Sequence, residues 1–178
     1  MENSWNNSEG STRDLRTDLH VENLTDLTGP QLAAVGALQV SERQAFQGKS
    51  VQESLEDWRQ GPPDQILGLC FLQADQPVGM TVFQRPPTSK RGDSTVASIH
   101  GLKIATPWQG RGWGHAAFRL AVRRLKQEWP ATTILTLAVD ADNHAAIAVY
   151  RAFGMTDSGP VFEGNHGPEH RMEVSLHP

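Results

Sequence analysis

Cysteine is almost absent from this chain. Cys70 is the only one, so an intrachain disulfide and a cysteine-based zinc site are both excluded. It lies inside the apolar run Ile66–Leu72, where a small core residue is a better reading than a nucleophile. Positive charge is also in deficit: sixteen Lys and Arg against twenty Asp and Glu leave a net −4. No basic field exists for a nucleic-acid backbone to read, so no nucleic-acid partner is expected. Apolar stretches of the ~20 residues needed to span a bilayer are missing, and the N-terminus lacks a basic-then-apolar leader. No membrane association is expected, and the location expected is cytoplasmic. No cluster of residues points to a metal.

At roughly 150 residues per domain, 178 residues amount to one domain with an appendage. Met1–Thr17, mostly Asn, Ser, Glu and Arg, cannot bury enough apolar surface to offset its ordering entropy, and reads as a disordered arm over residues 1–17. Residues 18–178 are then a single domain. It is expected to open on an edge strand at Leu19–Leu24, followed by helices from Thr28 to Leu38 and from Ser50 to Arg59. Ile66–Gln73 and Val78–Gln84 read as an antiparallel hairpin, and Arg85–Asp93 as an exposed loop.

The second half has a different character. Thr95–Ala105 reads as a strand, Gly112–Trp129 as a helix, and Thr133–Val139 as a strand apolar on both faces, which suits a buried parallel position. Phe118, Val122, Leu125 and Trp129 form one apolar stripe on that helix. Together the three elements make a right-handed strand–helix–strand crossover. A short helix, Asn143–Phe153, follows, with Asp142 as its expected cap and Gly154 beyond its end. Two closing strands, Met155–Phe162 and Arg171–Leu176, are expected to flank a loop rich in Gly, Glu and His.

Gln109–Gly110–Arg111–Gly112–Trp113–Gly114 carries the most chemistry. A glycine loop leading into a helix offers unpaired N–H groups and the positive end of a dipole, which together hold a pyrophosphate. Glycines let the backbone approach without a Cβ in the way. Alone the pattern is weak, since Gly-x-Gly should appear by chance about once in such a chain. Gly112 to Ala117 also satisfies the dinucleotide pattern G-x-G-x-x-G/A. In that motif, however, the first glycine ends the strand, whereas here Thr106–Arg111 intervene and only 38 residues follow Asp140.

The stretch Leu102–Lys103–Ile104–Ala105–Thr106–Pro107–Trp108–Gln109–Gly110–Arg111–Gly112–Trp113–Gly114 resembles the acetyl-CoA signature of the GNAT superfamily of N-acetyltransferases, L-x-V, a proline turn, then Q/R-x-x-G-x-G/A. A second element of that family, N-x-x-A-x-x-x-Y-x-x-x-G-[hydrophobic], is matched by Asn143, Ala146, Tyr150, Gly154 and Met155. The resemblance covers about Leu19 to Leu176 and is sharpest from Thr95 to Met155. It implies an α/β (α+β) fold, with a mixed sheet of about seven strands splayed between strands 4 and 5 and flanked by about four helices. It also implies acetyl-CoA as co-substrate. Backbone groups of Leu102 and Ile104 would hold the pantetheine arm. N–H groups from Gln109 through Gly110, Arg111, Gly112, Trp113 and Gly114 would hold the pyrophosphate, with the Gln109 and Arg111 side chains close by. Asn143 would contact the CoA arm, and Gly101 would mark the bulge that splays the strands.

By the same resemblance Tyr150, the only tyrosine, falls on the general-acid position, where a phenol can protonate the departing sulfur. The Leu102 N–H is the expected oxyanion donor. Many protein N-terminal acetyltransferases of the family carry a glutamate five residues before the helix asparagine; here that position is Ala138. His100, two residues before Leu102, stands where arylalkylamine N-acetyltransferases place a histidine, and would take the ammonium proton. A partly buried histidine bonded to a neighbour, with an ordered water as base, is the alternative. His115 could touch the phosphates but reads first as a surface histidine; His166 and His170 lie in or beside the closing loop, near where family members often gate the acceptor, and Glu163 there could bind a cationic substrate but reads first as a solvated charge. The acceptor expected is a primary amine on a small molecule, attacking the thioester directly in a ternary complex. A protein or peptide acetyltransferase is the runner-up. A non-catalytic acetyl-CoA sensor and a Rossmann-like NAD(P) oxidoreductase are the remaining alternatives, and homodimer formation is left open.

Overall fold

The computed structural model describes residues 18–41, 49–86, 95–164 and 167–176. The expected arm over 1–17, the expected loop from residue 87 onward, and His166 lie outside the described residues. Seven strands form one sheet in the order β1-β2-β3-β4-β5-β7-β6. They are β1 Leu19–Asn23, β2 Ile66–Gln73, β3 Gln76–Gln84, β4 Val96–Ile104, β5 Ile134–Asp140, β6 Thr156–Gly164 and β7 Gly167–Ser175. Four α-helices are described: α1 Gly29–Gly36, α2 Val51–Gln60, α3 Trp113–Glu128 and α4 His144–Phe153. The architecture is the expected mixed sheet, and β4–β5 is its parallel pair.

Local chemistry accounts for the helix ends. Thr28 with Gln31, and Ser50 with Glu53, close reciprocal capping boxes that start α1 and α2. For α4 the cap is Asn143 rather than the expected Asp142. Asn143 has the non-helical backbone, and its Oδ1 accepts from Ala146 N–H at 3.2 Å, three residues on. Asp142 precedes that spacing by one residue. Gly154, at φ 102°, ends α4 in the left-handed conformation.

Two cores sandwich the sheet. Beneath α1 and α2, Leu24, Val35, Leu55, Cys70, Leu72, Met80 and Val82 pack together. On the opposite face α3 and α4 cover Phe71, Phe83, Ile99, Ile104, Leu135, Leu137 and Met172, and the expected stripe Phe118, Val122, Leu125 and Trp129 is buried there. The expectation that β5 is apolar and buried on both faces does not hold. Leu135, Leu137 and Val139 point inward, but Ala138 is exposed and Ile134 is 37% exposed. The physical reason is cover: α1 and α2 pack over β2, β3 and β4 and stop short of β5.

The closing strands are longer than expected. Glu163 lies on β6 and Pro168–His170 lie on β7, so the two strands extend into what was expected to be a wide loop. The beginning of β5 is held firmly. Thr133 and Ile134 N–H both donate to Thr95 C=O at 2.7 and 2.9 Å, and Leu176 N–H donates to Thr133 C=O at 2.7 Å. From α3, Lys126 Nζ donates to the carbonyls of Thr132 at 3.0 Å and Leu176 at 3.1 Å.

Candidate active site

Beyond that closed end β4 and β5 part. Their parallel pairing covers only Val96–Ile134, Ala97–Leu135 and Ser98–Thr136, although β4 runs on to Ile104 and β5 to Asp140. On its other edge β4 skips a register step against β3: His100 faces Val82 and Lys103 faces Met80, with Gly101 and Leu102 opposite Thr81. Gly101, at φ 69°, is the extra residue of this bulge. The insertion reverses the alternation. Ile99, Leu102 and Ile104 all pack toward the α3–α4 core, while His100 and Lys103 face the α1–α2 side.

At the mouth of the gap the chain turns from β4 through a short 3-10 turn, Thr106–Trp108, into the glycine loop. Gln109 is committed inside it: its N–H donates to Thr106 C=O at 3.2 Å, and its Nε2 donates to Ile104 C=O at 2.7 Å. Gly110 and Gly112 take φ 73° and 80°, and a Cβ on either would meet nothing within 4 Å. Those glycines are therefore needed for backbone conformation, and the space beside them is open. Gly112 caps α3 with no side-chain hydrogen bond, so the N–H groups of Trp113 and Gly114 are left uncapped by it, while His115 and Ala116 N–H donate to Gly112 C=O. Arg111 and His115 are exposed. Trp113 is half-buried and stands edge-on to Trp108, ring centroids 4.8 Å apart, which braces the loop. Half-buried Gly114 follows, 3.4 Å (as a would-be Cβ) from Val149 of α4, so α3 and α4 approach closely here.

A cleft of about 220 Å³ continues from Gly112 between the two helices, lined by His115, Ala116, Arg119, Val149 and Ala152 among others. Arg119 belongs to no motif, and only its position about two turns into α3 could have drawn attention to it. Tyr150 lies on the inner face of α4, 7% exposed, with its ring edge-on to Phe118 at 5.2 Å. Burial pushes its phenol up to about 12, so it keeps its proton at neutral pH.

The opposite side of β4 is polar. His100 is half-buried, with Nε2 2.9 Å from Ser98 Oγ. Burial holds its imidazole below the usual histidine value, and Lys49 and Lys103 add to this while Asp57 opposes it. His100 is thus a free base at neutral pH. Lys103 is 3% exposed and donates to Ser54 Oγ at 3.2 Å. His170, expected in a loop, is on β7 with Nδ1 2.9 Å from Asp157, whose carboxylate also takes an Arg151 N–H at 2.6 Å. Glu163 is exposed. Cys70 is buried in the lower core, and its thiol is pushed up to about 12, chiefly by burial, which suits an inert core residue.

The chain resembles several solved acetyltransferases in fold. Aminoglycoside acetyltransferase AAC(6')-Ib in complex with coenzyme A matches at TM-score 0.68 and 19% identity, over 89% of this chain and 95% of that one. An acetyltransferase from Thermus thermophilus matches at 0.61 and 21%, over 89% and 97%. The ribosomal-protein-S18-alanine N-acetyltransferase from Escherichia coli matches at 0.59 and 18%, over 89% and 92%. Identities this low establish the shared fold alone. Comparison with curated protein sequences returns no match. The model of the acetyltransferase (GNAT) family matches residues 32–155, more than half of the chain and everything from within α1 to Met155. With parted central strands, an uncapped glycine loop and a family match that spans both, the chain belongs to the GNAT family of acetyl-CoA-dependent N-acetyltransferases.

Proposed function

We propose that residues 18–178 act as one cytoplasmic unit that transfers the acetyl group of acetyl-CoA directly to a primary amine of a small-molecule acceptor, both bound at once. The observation that carries this reading is the gap between β4 and β5. It opens past Ser98 and Thr136, with the glycine loop at its mouth and chemically distinct groups on its two sides. The donor set suits an anionic diphosphate: the uncapped N–H groups of Trp113 and Gly114 at the start of α3, glycines beside open space, and exposed Arg111.

In this reading Gly110, Arg111, Gly112, Trp113 and Gly114 hold the diphosphate, and Gln109 serves chiefly to lock the loop onto Ile104. Backbone groups of Leu102 and Ile104 align the pantetheine arm along β4, and Asn143 meets it from the start of α4. When bound, acetyl-CoA supplies an acetyl group activated as a thioester. The Leu102 N–H, left without a register partner by the bulge, faces the carbonyl oxygen as it gains charge. Tyr150 keeps its proton until the sulfur departs and then delivers it. His100, on the opposite face, takes the proton from the incoming ammonium, and its lowered pKa keeps it ready. With Cys70 buried in the other core, no thiol stands at the gap among the described residues, which supports direct transfer.

Two measurements test this. Acetyl-CoA should raise the melting temperature, whereas NAD(P) should leave it unchanged; the reverse would replace the transferase reading with a dinucleotide enzyme. Free-thiol release across a panel of amines should then find a small-molecule acceptor. Turnover confined to peptide N-termini or lysines would reassign the acceptor class, and binding without release on any amine would make the chain a sensor. Ala138, exposed on β5 where protein N-terminal acetyltransferases carry a glutamate, favours the small molecule.

A further inference from the structure

Lys103 is an unusual residue for the place it occupies. Its ammonium is buried in the layer between β4 and α2, and burial costs a charge several kcal/mol unless a counter-charge repays it. Among the described residues no acid is in contact with it. Its hydrogen-bond partner there is one neutral hydroxyl, Ser54 Oγ, whose own proton goes to Ser50 C=O at 2.8 Å. The acids of α2 that face this layer are committed elsewhere. Glu53 accepts from Ser50 N–H at 2.6 Å, and Asp57 is ion-paired with Lys49. The other titratable group on this side, His100, has its imidazole held below the usual histidine value by burial. An ammonium has three donors, so Lys103 has capacity that the described residues do not use.

The bulge shows where that capacity points. Gly101 is exposed, yet a Cβ placed on it would collide with Lys103 Nζ. The ammonium therefore lies directly beneath a residue with no side chain, at the point where β4 has lost its partner on β5. It shares this face with His100. Gly101 itself is exposed and carries no side chain to screen the ammonium beneath it.

We propose that Lys103 is the anion-recognising residue of the acceptor site, and that the acceptor is an amino-acid-like zwitterion whose carboxylate pairs with this ammonium while its amine addresses His100. The inference rests on the transferase reading and specifies its acceptor. It adds a specificity residue at the variable position of L-x-V, to which the acetyl-CoA motif gives no role.

The test pairs α- and ω-amino acids with their primary carboxamides. A carboxamide amine is less basic and so intrinsically more available, which means that a preference for the acid cannot come from amine basicity. The acid should win by about ten- to hundredfold in kcat/KM, mostly through KM, the range for a hydrogen bond to a charged group. Lys103→Met should erase the preference by lowering the acid rate far more than the carboxamide rate, leave acetyl-CoA affinity unchanged, and melt no lower than the wild type, since it removes a buried unpaired charge. A binding arm needs no turnover. N-acetyl amino acids should bind the wild type more tightly than N-acetyl amino amides, and lose that advantage in Lys103→Met. The advantage should also fade as pH rises through about 8, where Lys103 sheds its proton because burial outweighs Glu53 and Lys49 adds its repulsion. Equal binding of acid and amide by the wild type, or a Lys103→Met loss shared equally by both, would overturn the proposal. Absence of acetyl-CoA binding would instead overturn the transferase reading, with the N-acetyl ligands still reporting on the anion site.

Discussion

The hairpin β2–β3 and the pair β4–β5 are neighbours in one sheet and behave oppositely. β2 and β3 match at eight register positions, and every residue of β2 but the last is buried, because helices cover both of its faces. β4 and β5 match at three positions and then separate, and the outer face of β5 is bare. The hairpin converts its backbone and side chains into stability. The parted pair withholds its backbone groups from each other, which keeps them available to a ligand. Stability and binding capacity are thus assigned to different strands of one sheet.

Four substitutions would break or sharpen that contrast. The largest effect belongs to the zipped half: Phe71→Ala, at a residue with no exposure, should cost about 3–5 kcal/mol in chemical denaturation. Acetyl-CoA affinity of the folded fraction should be retained, and a parallel loss of affinity would mean the two regions are not separate. Next, Tyr150→Phe keeps the ring against Phe118 and removes only the proton donor. Turnover should fall ~10²-fold with cofactor affinity nearly intact, and unchanged turnover would take Tyr150 out of the mechanism. Gly101→Ala forces a side chain into the left-handed region and against Lys103 Nζ, so a loss of about 1–2 kcal/mol is expected at the bulge. If thermal melting shows no cost, the bulge does not depend on glycine.

The smallest effect is on pH dependence. Wild-type kcat/KM should climb with pH as His100 loses its proton. That limb should lie below the ordinary histidine range because burial, followed by Lys49 and Lys103 against Asp57, disfavours the charged ring. His100→Ala should flatten the limb. An unaltered profile would show that another group, or water, is the base.

Much of the fold was legible because local signals and global architecture agree. The helix starts at Thr28 and Ser50, the stripe on α3, and Gly154 at the end of α4 all lie where the spacing put them. The glycine loop was legible for the same reason, with a strand before it and an amphipathic helix after it. What failed depended on tertiary cover. An apolar run cannot reveal that α1 and α2 stop short of β5, so the run Ile134–Val139 looked buried on both faces. The extended β6–β7 hairpin was hidden by Gly, Pro and His, residues that read as loop until cross-strand pairing holds them. Lys103 was passed over as the variable position within L-x-V. Which way it points follows from the inserted Gly101, and no periodicity shows that reversal.

The Lys126 contacts acquire a further meaning from this layout. One ammonium grips the carbonyls of Thr132, just before β5, and Leu176, just after β7, and so anchors the end of β5 from which it later leaves β4. Thr133 and Ile134 N–H, both donating to Thr95 C=O, then tie this anchored end to the start of β4. A lysine on the covering helix thus secures the footing from which the two strands separate.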